Sequence, residues 1–169
     1  MATYVRLNLS LIYQTFVTYE GTYPTVQSLL SQQDEHLVDP MTAADLNGDG
    51  KPDIIVAVTG ANTASVLLNT GNGTFSAQTT YLTGNWPDEV VVVDVNGDGK
   101  ADIIVANYNS NNVGVLLNIG NGTFADQTTY SAGSGASCVA VVDVNGDGKP
   151  DIIVTNANSN NVCVLLAYY

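Results

Sequence analysis

Apolar runs alternate with short polar turns along most of this chain. "EVVVVDV" (89–95) and "DIIVAN" (102–107) are apolar at nearly every position, which is typical of strands that are buried on both faces. "VGVLLN" (113–118) predicts a third strand, and the polar, alternating "FADQTTYSAG" (124–133) predicts a fourth, outer one. The turn sequences "YNSNN" and "GNG" separate these strands, because Gly and Asn tolerate the positive φ of tight turns.

The pattern repeats at a fixed interval. Asp45, Asp94 and Asp143 open the same loop 49 residues apart, and "SVLLNTGNGTF" (65–75) recurs as "GVLLNIGNGTF" (114–124). Four strands in a repeat of this length, with no clear helical period, are typical of the blades of a β-propeller. The sequence therefore predicts an all-β fold of about three four-stranded antiparallel blades.

We expect these blades to form one propeller-type domain. One or more strands of a partial blade occupy residues 1–20, and the blade repeats occupy 21–72, 73–121 and 122–169. The third copy ends before its outer strand, and three blades are too few for a ring, because propellers have ~4–8. The chain is therefore expected to be part of a larger propeller or to self-associate, with two or more copies completing one ring. In the second case, the alternating segment Val5–Tyr13 of one copy would supply the missing outer strand of another.

The charge of the chain excludes several classes of partner. It has 16 acidic and 4 basic residues, for a formal net charge of −12. A nucleic-acid-binding protein needs a basic face, so binding to nucleic acid is not expected, and an anionic membrane surface is disfavoured for the same reason. There is no apolar run long enough to span a membrane, and the N-terminus does not resemble a signal peptide. Cys138 and Cys163 fall on the first and third strands of one blade, too far apart for a disulfide, so both are expected to be free, partly buried thiols.

The acidic loop that opens each repeat is the candidate site. Counted from its first aspartate, the loop carries side-chain oxygens at positions 1, 3, 5 and 9 and a glycine at position 6. The lysine at position 7 can offer its backbone carbonyl, and its charge is expected to point away from the loop. A cage of carboxylate, amide and carbonyl oxygens is what Ca²⁺ prefers. The predicted ligands are Asp45, Asn47, Asp49, Lys51 and Asp53; Asp94, Asn96, Asp98, Lys100 and Asp102; and Asp143, Asn145, Asp147, Lys149 and Asp151. We therefore expect about three bound Ca²⁺ ions, one for each repeat.

The start of the loop is compatible with two other structures, an EF-hand and a metal-free hairpin. An EF-hand begins in the same way, but it needs a glutamate at position 12, where this chain has Val56, Val105 and Val154. A metal-free Asn-Gly or Asp-Gly hairpin is the simpler alternative. Nine of the 16 acidic residues lie in the loops, so their mutual repulsion favours a bound cation over an empty turn.

The loop and the strand after it resemble a known family. D-x-N-G-D-G-K-x-D followed by I-I-V is similar to the FG-GAP/VCBS repeat, the calcium-loop blade of integrin alpha-subunit β-propellers and of many secreted proteins. The resemblance covers roughly residues 21–169. It implies that the loop joins the first two strands of a blade and binds Ca²⁺ through the residues named above, and it implies an extracellular or cell-surface setting. The family's FG and GAP signatures are only partly present, as Gly73-Thr74-Phe75 and Gly122-Thr123-Phe124.

These features favour a binding function over catalysis. His36 is the only histidine, so a Ser/His/Asp or Cys/His arrangement has no support, and the chain is not expected to be an enzyme. We expect a calcium-binding module for protein interaction or adhesion, in which the metal is structural. The alternatives are a lectin-like propeller, for which aromatic residues near the connections such as Trp86, Tyr108 and Tyr130 could stack on sugars, and a non-catalytic accessory domain of a larger secreted enzyme.

Overall fold

A computed structural model of the chain describes residues 40–167. In that range the backbone forms strands β1 (Met41–Ala44), β2 (Asp53–Val58), β3 (Thr63–Leu67), β4 (Asn69–Gly71), β5 (Thr74–Phe75), β6 (Thr79–Leu82), β7 (Pro87–Val93), β8 (Asp102–Asn107), β9 (Asn112–Leu116), β10 (Asn118–Gly120), β11 (Thr123–Phe124), β12 (Thr128–Ser131), β13 (Ala136–Val142), β14 (Asp151–Asn156) and β15 (Asn161–Leu165). None of the residues from 40 to 167 is helical, and no helix that could cross a membrane is found there. The predicted all-β class is confirmed.

The strands form three antiparallel blades in sequence order. Blade 1 has the strand order β1-β2-β3-β6, blade 2 has the equivalent order β7-β8-β9-β12, and blade 3 consists of β13-β14-β15. The sheets are offset from the predicted repeats 73–121 and 122–169, because each outer strand pairs with the third strand of the preceding repeat. Thr79 to Val66 is one such pair. Within the described range, blade 3 has three strands, and no fourth strand pairs with the outer edge of β15.

The segment expected to be a single outer strand is divided in two. Residues 123–124 form a separate two-stranded ribbon with β10, and the outer strand itself is only β12. Asn121 and Gly122 form the turn of the ribbon with φ of 54° and 69°, both in the left-handed region that a two-residue hairpin turn requires. Since this turn commits the chain to local pairing, it reaches the edge of the sheet only at Thr128. The prediction of one continuous strand over 124–133 is therefore wrong.

The core lies between the blades. Every residue of β8 is buried, as the sequence predicted for 102–107. Side chains alternate across the strand, so Ile103 packs in the cluster shared with blade 1, and Ile104 packs in the cluster shared with blade 3. The other strand expected to be buried on both faces, 89–95, is observed as β7 and is mostly half-buried. That expectation is wrong because β7 lies at the edge of its sheet and pairs only with β8.

Polar and aromatic contacts complement the apolar joints between blades. At the first joint, the rings of Tyr81 and Phe124 meet edge to face with centroids 5.4 Å apart. At the second joint, the Ser137 hydroxyl donates to Asp88 at 2.7 Å, and the backbone N–H of Val139 donates to Glu89. These contacts join residues about one repeat apart, so they fix each blade relative to its neighbour.

Two further expectations have different outcomes. Neither Cys138 nor Cys163 forms a disulfide, which confirms the expectation of free thiols. Cys163 is half-buried as expected, whereas Cys138 is exposed, because no blade covers its side of blade 3 within the described residues. The N-terminal strand predicted at Val5–Tyr13, the partial blade over 1–20 and the loop residue His36 lie outside the described residues.

The position of a blade in the row determines what its side chains contribute to stability. Ile104 is fully buried between blades 2 and 3, whereas Ile153, its equivalent in blade 3, is only half-buried. We expect Ile104→Ala to lower the free energy of unfolding by about 2–5 kcal/mol, because it leaves a cavity in a closed joint. Ile153→Ala should cost clearly less in urea denaturation at low protein concentration. Equal losses in the two variants would contradict this account of the core.

Candidate metal centres

Each acidic loop joins the first two strands of its blade. Residues 45–52 connect β1 to β2, 94–101 connect β7 to β8, and 143–150 connect β13 to β14. The glycines at positions 4 and 6 have φ of 79° and 80° in the first loop, and the other two loops differ from these values by only a few degrees. Because a side chain is strained at such φ values, the two glycines are what allow the loop to turn so sharply.

The first aspartate of each loop accepts backbone hydrogen bonds from the loop itself. Asp45 accepts from the N–H of Gly48 at 2.7 Å on one oxygen and from the N–H of Gly50 at 2.8 Å on the other. Asp94 and Asp143 make the same pair of bonds. The hydrogen bond from Gly50 is the main reason that the pKa of Asp45 lies below its ordinary value, and Gly148 has the same effect on the pKa of Asp143. These exposed carboxylates are therefore ionised at neutral pH.

Positions 3 and 5 continue around the same turn. In the first loop the Asn47 side-chain oxygen accepts from the N–H of Asp49 at 3.0 Å, and Asp49 accepts from the N–H of Lys51 at 2.9 Å. The same two bonds occur in the second and third loops. The three oxygen-bearing side chains at positions 1, 3 and 5 thus bend around one short piece of backbone, as the spacing predicted.

The lysine at position 7 has a role that the sequence did not predict. Lys51 Nζ lies 2.8 Å from the Asp49 carboxylate, and Lys100 Nζ lies 2.8 Å from the Asp98 carboxylate. The lysine's hydrogen bond is the main cause that lowers the pKa of Asp49 and of Asp98, and Asp98 in turn raises the pKa of Lys100. In these two loops the ammonium group compensates part of the loop's negative charge. The expectation that the charge of this lysine points away from the loop is therefore wrong for Lys51 and Lys100, because the nearby position-5 carboxylate attracts the ammonium group.

The aspartate at position 9 points away from the turn and into the protein. Asp53 is fully buried, and its two oxygens accept from the N–H of Leu46 at 2.8 Å and the N–H of Asn69 at 2.7 Å. Asp102 and Asp151 bind the equivalent backbone groups in their blades at 2.8–3.0 Å. Desolvation raises the pKa of Asp102, although its hydrogen bonds oppose this effect. Each of these aspartates, which we call the clamp aspartates, ties the start of its loop to the chain just after the third strand.

A buried amide adds a contact between blades that the sequence analysis missed. Asn118 is almost fully buried, and its amide nitrogen donates to the carbonyl of Leu46 at 2.9 Å and to the carbonyl of Ala101 at 3.0 Å. It therefore links the first loop to the second. The signal that could have found it is the repetition of asparagine at positions 69 and 118, exactly one period apart, where the third copy has Ala167.

The predicted ligands are oxygen atoms, which suit a hard cation, but the structure does not bring all of them together. Positions 1, 3 and 5 contribute exposed or half-exposed oxygens around one turn, and oxygen is the only ligand atom type that Ca²⁺ favours. The clamp aspartates lie apart from them, so no group of three or more His, Cys, Asp or Glu side chains converges among the residues that the structure describes. A cation at the turn would displace the ammonium group of the position-7 lysine from its carboxylate. The ligand roles of all fifteen predicted residues stay a prediction.

The first two loops border a common groove. The groove has a volume of about 400 Å³, and it is lined on one side by Asp45 and Asn47 and on the other by Lys100, with Asn121 at its end. The candidate centres of blades 1 and 2 therefore open onto one surface.

Comparisons with known proteins bear on family and fold. The sequence model of the FG-GAP-like repeat matches residues 45–105 and again 94–154, which together span well over half of the chain. No curated protein shows significant similarity to it.

Two solved structures are similar to parts of this chain. One is the Photorhabdus luminescens Tc holotoxin pore with a mutation in TccC3, with 19% identity and a TM-score of 0.51 over 77% of this chain. The other is the crystal structure of TcdB2-TccC3, with 21% identity and a TM-score of 0.46 over 68% of this chain. In both cases the chain spans only 6% of the larger protein's length. At this level of identity the likeness concerns the fold alone.

The clamp aspartates generate a testable prediction. We expect Asp53→Asn to lower the free energy of unfolding by about 1–3 kcal/mol, because an amide NH₂ faces a buried backbone N–H and leaves it unsatisfied. Asp126→Asn is the matched control, since Asp126 is an exposed acid outside the loops, and it should change stability by less than about 0.5 kcal/mol. Chemical denaturation in calcium-free buffer measures both. A loss no larger than that of the control would contradict the role of the clamp.

Proposed function

This chain belongs to the FG-GAP-like repeat family, and from that premise we propose that it is a Ca²⁺-stabilised interaction module. Each of the three acidic loops would bind one cation through positions 1, 3 and 5 and the carbonyl of position 7, while the aspartate at position 9 anchors the loop. The observation that carries the proposal is the threefold recurrence of the same arrangement of oxygens, bent around the same glycine turn in all three blades.

Charge supports a cation at these turns. Asp45 and Asp49 are both held in the ionised form within one turn, and among residues 40–167 the basic side chain in contact with Asp49 is that of Lys51. A divalent cation would neutralise both carboxylates at once, and the exposed loop leaves it free to enter from solvent. A flexible cage of protein oxygens suits Ca²⁺ better than Mg²⁺, which requires near-ideal octahedral geometry and keeps its water.

The proposed role of the metal is structural. A bound ion would fix the loop between the first two strands, and the clamp aspartate would transmit that rigidity to the third strand. Binding to the folded state alone stabilises that state by mass action. We place the module in an extracellular or cell-surface setting, where calcium is abundant enough to fill weak sites, and we assign it a binding rather than a catalytic role.

The partner surface that we propose is the face onto which the loops open. The groove between Asp45 and Lys100 has charged groups of both signs, which suits a protein partner with complementary charges. Bound calcium would fix the shape of the loops that line this groove and so control the binding of the partner protein indirectly. The partner would be a protein, as expected for an adhesion or assembly module.

Calcium titration tests this proposal. Calorimetry should give about three bound Ca²⁺ per chain, and EDTA should lower the melting temperature. Asp98→Asn removes a position-5 carboxylate and should lower the stoichiometry by one, because an exposed loop loses its ligand without disturbing the core. Asp126→Asn should leave three sites. An absence of heat with wild-type protein, together with equal melting temperatures with and without EDTA, would sink the calcium proposal.

A second candidate function, glycan binding, is favoured by one strained residue. Trp86 has φ of 58°, where the equivalent residue in the next repeat, Gly135, has φ of 73°. Both donate their backbone N–H to an asparagine side chain at 2.8 Å, so the fold requires this conformation whatever the side chain. A bulky residue in this region costs about 1–3 kcal/mol. A partly exposed indole kept in spite of that cost suits a ring that stacks on a sugar face.

A glycan array distinguishes the two functions. If Trp86 stacks on sugar, wild-type protein should bind a defined group of glycans, and Trp86→Gly should lose that binding while keeping the fold, because glycine adopts the required φ without strain. Ile119→Ser, which changes an exposed apolar residue of the β10–β11 ribbon that has no part in the proposed sugar site, is the control and should retain binding. Silence of the wild-type protein on the array would favour the protein-interaction function.

A further inference from the structure

Each blade has two faces, and each face can pack on a different neighbouring blade. We call them the following face, which points toward the next blade along the chain, and the preceding face, which points toward the previous one. The following face of blade 2, which points toward blade 3, consists of Ile104, Ala106, Val113 and Val115. Its preceding face, which points toward blade 1, includes Val90, Ile103, Val105 and Leu116. All eight side chains are at most 5% exposed. Each joint in the chain is therefore made by the following face of one blade and the preceding face of the next.

Blade 3 exposes the face that blade 2 buries. The equivalents of Val113 and Val115 are Val162 and Val164, which are 59% and 46% exposed, compared with 0% and 5% in blade 2. Val142 is also about half exposed, on the same face. Three of the four residues of this face are the same in the two blades, and Thr155 replaces Ala106 in blade 3. The main difference is the neighbouring blade that covers the face in blade 2. A contiguous patch of exposed valines on a folded domain marks an interaction surface.

Blade 1 has the complementary surface at the other end of the row. Its preceding face carries Met41, Ile54 and Val56 at the positions of Val90, Ile103 and Val105 in blade 2. Met41 is 59% exposed, and Ile54 and Val56 are half-buried, although their equivalents in blade 2 are buried. Among residues 40–167, the row of blades thus has a following face at one end and a preceding face at the other.

We propose that two copies of this chain associate head to tail and close a ring of six blades. The following face of blade 3 in each copy packs on the preceding face of blade 1 in the other, and it repeats the apolar part of the joint that blade 2 makes with blade 3. The polar contacts of Asp88 and Glu89 are not repeated, because blade 3 has Ser137 and Cys138 at those positions. The two contacts are identical, so the pair is closed and exposes neither face. The described residues of one chain form three blades, and propellers have ~4–8 blades, so two copies fit such a ring and three copies would exceed it.

Cys138 is placed to report on this contact. It occupies the position of Glu89, whose carboxylate reaches across the joint to the backbone N–H of Val139 in the next blade. Cys138 itself is exposed, since no blade follows it within the described residues. In the ring it lies at the new joint, beside the β1 strand of the second copy. Its rate of alkylation should therefore fall as association proceeds.

The mass of the protein in solution tests the proposal. Sedimentation equilibrium at micromolar concentrations should give twice the 17.7 kDa of one chain. Val162→Asp introduces a charge into the joint and should give a single-chain mass with an unchanged circular dichroism spectrum, because this side chain is exposed in the isolated chain. Ile119→Asp is the matched control: Ile119 is 67% exposed and lies on the β10–β11 ribbon of the middle blade, so this variant should still associate.

A mixing experiment tests the head-to-tail arrangement itself. Met41→Asp damages only the preceding face, so this variant should also be a single chain when alone. A mixture of Val162→Asp and Met41→Asp retains one intact joint, between the undamaged faces of the two variants, and should recover the mass of two chains. An arrangement that joins like faces predicts no recovery.

Each remaining outcome counts against the ring. A wild-type mass of one chain at every concentration tested overturns the proposal. A pair that survives Val162→Asp, or a Cys138 alkylation rate that does not depend on concentration, places the contact elsewhere and also overturns it. The residues changed in these variants are apolar and are not proposed calcium ligands. The measurements are made both with calcium and with EDTA, so that a failure of calcium binding does not affect the test of association.

Discussion

In each blade a buried carboxylate connects the acidic loop to the chain just after the third strand. In each blade the clamp aspartate starts the second strand, accepts one backbone N–H from the acidic loop and accepts another from the chain after the third strand. A buried carboxylate is tolerated only when its oxygens are satisfied, and here backbone groups satisfy them in every copy. Because these groups come from distant parts of the repeat, the clamp can form only when the loop and three strands are in register.

The acidic loop depends on the clamp for its position and on glycine for its shape. With its start tied down by position 9, the loop bends over its two positive-φ glycines, and positions 1, 3 and 5 then cap the backbone N–H groups that the bend exposes. The same carboxylates that stabilise the turn are the ones proposed to hold calcium. Structure and ligand binding thus use one set of oxygens, and the lysine at position 7 provides a positive charge for the loop when no metal is bound.

The blades are similar in sequence but unequal in environment. Blade 2 is covered on both faces and contains the fully buried strand β8, whereas blade 3 repeats the same residues with valines half exposed. Burial in this fold is a property of the joint, since a blade contributes half of each interface and cannot bury its own face. The proposed ring follows from that constraint, because it supplies the two missing halves with the surfaces that the chain already uses. The polar loop rim and the apolar joints lie on different parts of each blade, so the two proposals concern separate surfaces.

The sequence by itself determined what depends on local chemistry and on repetition. The all-β class, the period of 49 residues, the strand Asp102–Asn107, the Asn121-Gly122 turn and the location of the acidic loops between the first two strands all follow from apolar runs, turn residues and spacing. Only the tertiary structure decided how those parts are used. It turned Asp53 and its two equivalents inward, because each finds two unpaired backbone N–H groups that the spacing does not reveal. It divided the outer segment into a ribbon and a strand, placed Asn118 between two blades and exposed the valines of blade 3. These outcomes depend on contacts between residues that are far apart in the sequence. A sequence pattern gives the identities of those residues but does not show which of them are in contact.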